Sequence, residues 1–174
     1  ASQAAGRVYD MVEETKGVMN VFAGQRIVES YLEGAVGYVN PYGNYIPRAS
    51  RAICEYISAG HWDDAKKIQR VITKMQVIIN AGHPTYGHQC YAKALAAAAG
   101  YPVGDVRAPL TTFKELGREG SARVKKLVPM MRELDVLVDK IDARVAKSKK
   151  TSFLKREQIV YFKMSKKASL RLLL

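Results

Sequence analysis

Cysteine is scarce: Cys54 and Cys90 are the only two in 174 residues. Two thiols cannot make a disulfide framework or a complete cysteine-based zinc site, which points to a reducing compartment and a cytoplasmic protein. Long apolar runs are missing as well. No stretch approaches the roughly 20 consecutive apolar residues of a membrane helix, so no membrane span is expected. The three histidines, His61, His83 and His88, are not spaced as a metal set. No charged-then-apolar leader follows Ala1, so no signal peptide is expected and the chain reads as processed or truncated.

What is present is globular in composition. Apolar types make up 48% and charged types 25%, which excludes wholesale disorder. The net charge of +12 is unevenly placed. From Lys147 onward nine basic residues face one acid, a net of +8, which leaves +4 for the first 146 residues. The body is only mildly basic, and the high isoelectric point describes the tail.

Apolar spacing predicts a short helix over Gln3 to Glu14, with Val8, Met11 and Val12 on one face. Val18 to Ala23 is a nearly continuous apolar run of strand length, closed by Gly24. Such a run suits a strand covered on both faces in a parallel sheet. Helical spacing returns from Gln25 to Glu33, and Gly37-Tyr38-Val39 reads as a second strand. A loop dense in turn residues, Asn40 to Pro47, follows. Helices are then predicted over Ala49–Ala59, Trp62–Asn80 and Tyr86–Ala99. Two prolines and two glycines keep Gly100 to Pro109 extended. Ser121 is placed to cap a last helix, with Pro129 expected to kink or divide it. Alternating units of this kind argue for a parallel α/β sheet, yet two strands cannot form one alone.

Three patterns, in order, resemble the C-terminal half of the dihydrodipicolinate synthase and N-acetylneuraminate lyase family of class I aldolase-type enzymes. One is the strand ending in Phe22-Ala23-Gly24. Another is Leu32-Glu-Gly-Ala-Val-Gly-Tyr-Val-Asn40 with Asn44 beyond it. The last is Gly104-Asp-Val-Arg107-Ala-Pro109-Leu110. The resemblance runs over about residues 1 to 140.

It implies an α/β fold: the C-terminal part of a (β/α)8 TIM barrel, strands 7 and 8, followed by a helical C-terminal extension. Residues 1–48 would hold the last barrel units. Residues 49–145 would hold the final barrel helix and the extension, and 146–174 a basic tail. Active sites in such barrels lie at the C-terminal strand ends. The family's reaction uses a lysine at the end of strand six, which forms a Schiff base with a 2-oxo acid; the protonated imine is an electron sink. Ala1-Ser2 resembles the pair that follows this lysine. The nucleophile and the proton-relay tyrosine are therefore expected upstream of Ala1, and the chain as given is expected to be inactive.

The resemblance leaves substrate-binding roles for Val39, whose main chain would line the keto-acid pocket, for Gly24, whose small size would admit substrate, and for Asn40. Asn40 replaces a smaller residue and adds a hydrogen-bond donor. Residues that hold sugar in the sialic-acid branch would fall at Arg26, Ile27 and Pro41, which argues against sialic acid. An inward Arg26 would favour an acidic substrate. No metal or organic cofactor is implied. The implied partners are pyruvate or a related small 2-oxo acid and copies of the same chain, as a dimer or tetramer. Neither nucleic acid nor membrane is expected.

Plainer roles stand beside these. Lys16 precedes the first strand and reads as a solvated loop residue. Cys54 and Cys90 read as buried packing, and Arg107 as a tie for the extended segment. Tyr38, Tyr42 and Tyr45 suit either substrate contact or a packed loop. The tail's composition shifts abruptly after Val145, as in a disordered appendage or a translation past a frameshift; a functional basic element is the other reading. The alternative for the whole chain is a non-enzymatic helical binding module with a basic tail for nucleic acid or membrane, in which Val18 to Gly24 is a buried helix segment.

Overall fold

The longest uninterrupted helical pattern in the body forms as its spacing dictates. Ile68, Val71, Ile72, Met75 and Ile79 are all buried along one side of a helix over Trp62–Asn80. Asp63 and Asp64 stand in its first turn, where carboxylates complement the helix dipole. The computed structural model describes residues 6–81 and 87–171, with side chains through 148. Helices α1 (Arg7–Thr15), α2 (Ile27–Leu32), α3 (Pro47–Ser58), α4 (Trp62–Asn80), α5 (Gly87–Ala98) and α6 (Gly117–Arg171) are joined by strands β1 (Phe22–Ala23) and β2 (Gly37–Tyr38). A 3-10 turn, Pro41–Asn44, links β2 to α3.

The chain divides into two units, one ending at Val138 and the other beginning at Asp139. In the first, α3 packs on α4, with Ile53 and Ile57 of α3 and Ile68 and Ile72 of α4 all buried. Burying each such side chain is worth about 1.5–3 kcal/mol, whereas a ladder hydrogen bond contributes roughly 0.5–1.5 kcal/mol net. The helical seam therefore dominates cohesion, and the two-rung sheet is held by it. The second unit is helical through Arg171.

β1 and β2 are parallel, with Phe22 opposite Gly37 and Ala23 opposite Tyr38. Phe22 and Ala23 of the run thus enter a sheet, and none of Val18 to Gly24 forms the buried helix segment of the binding-module alternative. The strand is shorter than its apolar run. Val18 is 88% exposed and Met19 62%, while Val21 and Ala23 are buried. A strand paired on one side and packed on one face cannot cover a six-residue run, so only the helix-facing positions are buried.

Other differences are local. Ser121 lies inside α6, where its hydroxyl donates to the Gly117 carbonyl, so it is not the cap. α6 continues through Pro129, which forgoes one backbone bond without ending the helix. Cys90 is buried as expected, but Cys54 is only partly covered. His83 and Tyr86 lie outside the described residues. No helix among the described residues is long and apolar enough to cross a membrane.

Candidate active site at the strand ends

The alternation of side chains along a strand divides the β1–β2 pair into two faces. Val21 and Ala23 turn toward the helices and are buried. Phe22 faces the other way, 55% exposed, on the side it shares with Gly37. Gly24 and Val39 each follow the last residue of their strand, one position beyond the last rung. The Val39 N–H donates to the Ala23 carbonyl at 2.8 Å, which fixes them there, and Val39 is 72% exposed.

Asn40 follows in extended conformation and has a divided amide. Its Oδ1 accepts the Tyr42 N–H at 2.9 Å and so caps the 3-10 turn. Its Nδ2 is buried and has no hydrogen-bond partner. A buried, unsatisfied amide donor costs about 1–3 kcal/mol of desolvation unless an acceptor arrives. Val39, Gly24 and Asn40 are thus brought together at the C-terminal end of the strand pair.

The neighbouring tyrosines are packing residues. Tyr42 and Tyr45 are 2% and 3% exposed, and their rings meet edge-on with centroids 6.2 Å apart. Gln76 donates to the Tyr42 hydroxyl. Burial pushes both phenols up, well beyond the ordinary tyrosine range. The Tyr38 hydroxyl bonds the Ser50 carbonyl at 2.5 Å and also meets Ser50 Oγ. Tyr31 donates to Cys54 Sγ at 3.5 Å. Burial raises both of these phenols too. These contacts stitch α2 and β2 to α3.

Arg26 is exposed and left-handed (φ 49°), immediately before α2. Lys16 is exposed at the C-terminus of α1, also left-handed, ahead of β1. The side chain of Arg107 is exposed, and other groups hold the extended segment. Lys93 Nζ donates to the Val103 carbonyl at 3.2 Å, and both Asp105 carboxylate oxygens accept the Phe113 N–H at 3.2 Å. No group of three His, Cys, Asp or Glu residues arranged for a metal occurs among the described residues.

One residue next to the site has no counterpart in the sequence reading. Gln69 of α4, 6% exposed, accepts the Ile27 N–H at 2.9 Å and holds the start of α2 three residues beyond Gly24. A glutamine beside Ile68, Val71 and Ile72 on a buried helix side was the available signal.

The chain is 37% identical over 87 residues to 4-hydroxy-tetrahydrodipicolinate synthase 1 of Streptomyces coelicolor, covering 49% of this chain and 28% of that protein. The wild-type sialic acid aldolase of Ruminococcus gnavus superposes with a TM-score of 0.65 at 22% identity, over 77% of this chain and 44% of the aldolase. Its catalytic lysine mutant gives a TM-score of 0.66, over 78% and 44%. The chain spans less than half the length of these relatives. The structural likeness shows the fold, that of part of a TIM-barrel aldolase. The model of the dihydrodipicolinate synthetase family matches residues 1–128, and the chain belongs to that family.

Proposed function

We propose that this chain is the C-terminal part of an aldolase-type lyase or synthase that binds pyruvate or a related 2-oxo acid as an imine on a lysine outside these residues. β1 and β2 are then strands 7 and 8 of the barrel, residues 1–48 the last barrel units, and 49–145 the closing helix and extension. The observation that carries this reading is the parallel pair, extended at its C-terminal end by the Val39 N–H bond to the Ala23 carbonyl, next to Gly24. That is the end at which barrel enzymes place their chemistry.

The roles of this chain's own groups follow from their positions. The open face with Phe22 and Val39 is the wall that further strands would cover. Gly24 leaves room beside it. The Val39 main chain borders the keto acid, and Asn40 Nδ2 donates to one of its oxygens, which resolves the unsatisfied amide. Binding and water exclusion belong to these groups; the imine, the electron sink for deprotonation or C–C cleavage, forms elsewhere. Lys16 does not supply the amine, since it stands before β1. The names of the relatives include a catalytic lysine and a sialic acid substrate. Arg26, Ile27 and Pro41 occupy the positions where the sialic-acid branch holds its sugar, so this substrate is not proposed. The assembled enzyme is a homo-oligomer in this reading.

The test is Asn40→Ala in a protein that carries this chain at the length of its relatives. The KM for the 2-oxo acid should rise about tenfold, the loss of one buried donor, with kcat changed far less. An unchanged KM would remove Asn40 from the site.

A further inference from the structure

A cavity of about 520 Å³ opens between α2 and α4, on the helical side of the chain away from the open sheet face. Lys66, Arg70 and Lys74 line it from α4, against the single carboxylate of Glu29 on α2. The three cations recur every four residues, so they stack along one helix face about 6 Å apart. Only Lys66 touches an acid of its own helix, Asp63 at 3.4 Å, and with 50% and 90% exposure that pair is weak. The cavity therefore holds an excess of two positive charges.

Its apolar wall is Val28, which is buried, and Leu32, which is 65% exposed. Behind the cations the Gln69 amide donates to Thr73 Oγ1 at 3.2 Å while its carbonyl holds the Ile27 N–H. We propose that this groove binds a small phosphate monoester, with the phosphate on Arg70 and Lys74 and the organic portion against Leu32. A monoester carries about −1.5 to −2 charges at neutral pH, which matches the excess. The guanidinium of Arg70 suits paired phosphate oxygens, and Lys74 adds a point charge. A bound ligand would also brace Gln69, and through it the first turn of α2. The inference does not depend on the imine chemistry proposed above.

Arg70 and Lys74 lie two and three turns beyond Trp62 on α4, so binding is read by calorimetry rather than by tryptophan emission. Phenyl phosphate added to the full chain at constant ionic strength should give a saturable titration of heat, and the absence of saturable binding would overturn the proposal. Arg70→Gln with Lys74→Gln should weaken binding at least about tenfold at unchanged helical content, since two charge-assisted contacts are lost. Lys125→Gln with Lys126→Gln on α6 removes the same charge elsewhere and should leave affinity within about twofold. An equal response to sulfate, or an equal loss in the α6 variant, would reduce the effect to general electrostatics and overturn the proposal. Tighter binding of polyglutamate than of phenyl phosphate would overturn it too, as the mark of a protein-docking face.

Discussion

The side-chain carbonyl of Gln69 accepts the backbone N–H of Ile27, 42 residues away in sequence, at 2.9 Å. Ile27 is wholly buried, so this N–H has no access to water. The C-terminal helices thus fix the first turn of α2, and with it the chain leaving β1 at Gly24. Gln69→Leu keeps the bulk and removes the acceptor. It should destabilise the fold by about 1–3 kcal/mol, the cost of stranding a buried donor, read as a lower urea midpoint at unchanged slope.

Gly37 faces the Phe22 ring across the strand pair. A methyl group built on Gly37 would stand 2.8 Å from Phe22 Cε1 and 2.9 Å from Cδ1. Gly37→Ala should cost about 1 kcal/mol, the low end of overpacking, because the clash falls on an exposed ring that can swing aside. Phe22 is half exposed, so its ring is the part that gives way. Phe22→Ala should therefore cancel most of the penalty in a double-mutant cycle; an additive cycle would place the strain elsewhere.

Stability should fall at both ends of the pH scale. Burial lowers His88 from its ordinary 6.5, so the fold holds it neutral while the unfolded chain protonates it. Its contribution is complete above about 6.5 and declines as pH drops through that value toward the folded one. Burial raises Tyr42 and Tyr45 above 10.0. Their contribution is complete below about 10 and is lost as pH climbs past it. Urea midpoints across the range check both limbs, and His88→Gln should flatten the acid limb alone.

The two thiols should differ in reactivity. Burial, with Asp105 nearby, pushes the Cys90 thiol up to about 11, and the residue is fully covered. Cys54 is partly exposed. A thiol reagent near neutral pH should label Cys54 first and Cys90 only on unfolding. Cys54→Ser should abolish the early phase.

The sequence carries the order of elements because each helix is amphipathic over its own length. α4 is the plainest case, with bounds that match the apolar pattern from Trp62 to Asn80. The parallel pairing follows from helix-strand alternation. The extent of β1 does not, since Val18 and Met19 look like core in the chain but have nothing to cover them here. Gly24, Val39 and Asn40 could be named from motif order. That Asn40 spends its carbonyl on the Tyr42 N–H and keeps a bare buried donor required coordinates. The Gln69 cap joins residues far apart, and no local pattern encodes such a link.

If the reactive amine lies outside these residues, as proposed, no lysine of this chain forms the imine. Borohydride reduction in the presence of pyruvate, followed by peptide mass mapping, tests it directly. No lysine adduct should form in the 174 residues alone. A single adduct, ahead of residue 1, should form when the protein is extended to the length of its relatives. A reduced adduct on Lys16 or any other lysine of this chain, or none in the extended protein, would contradict the proposal.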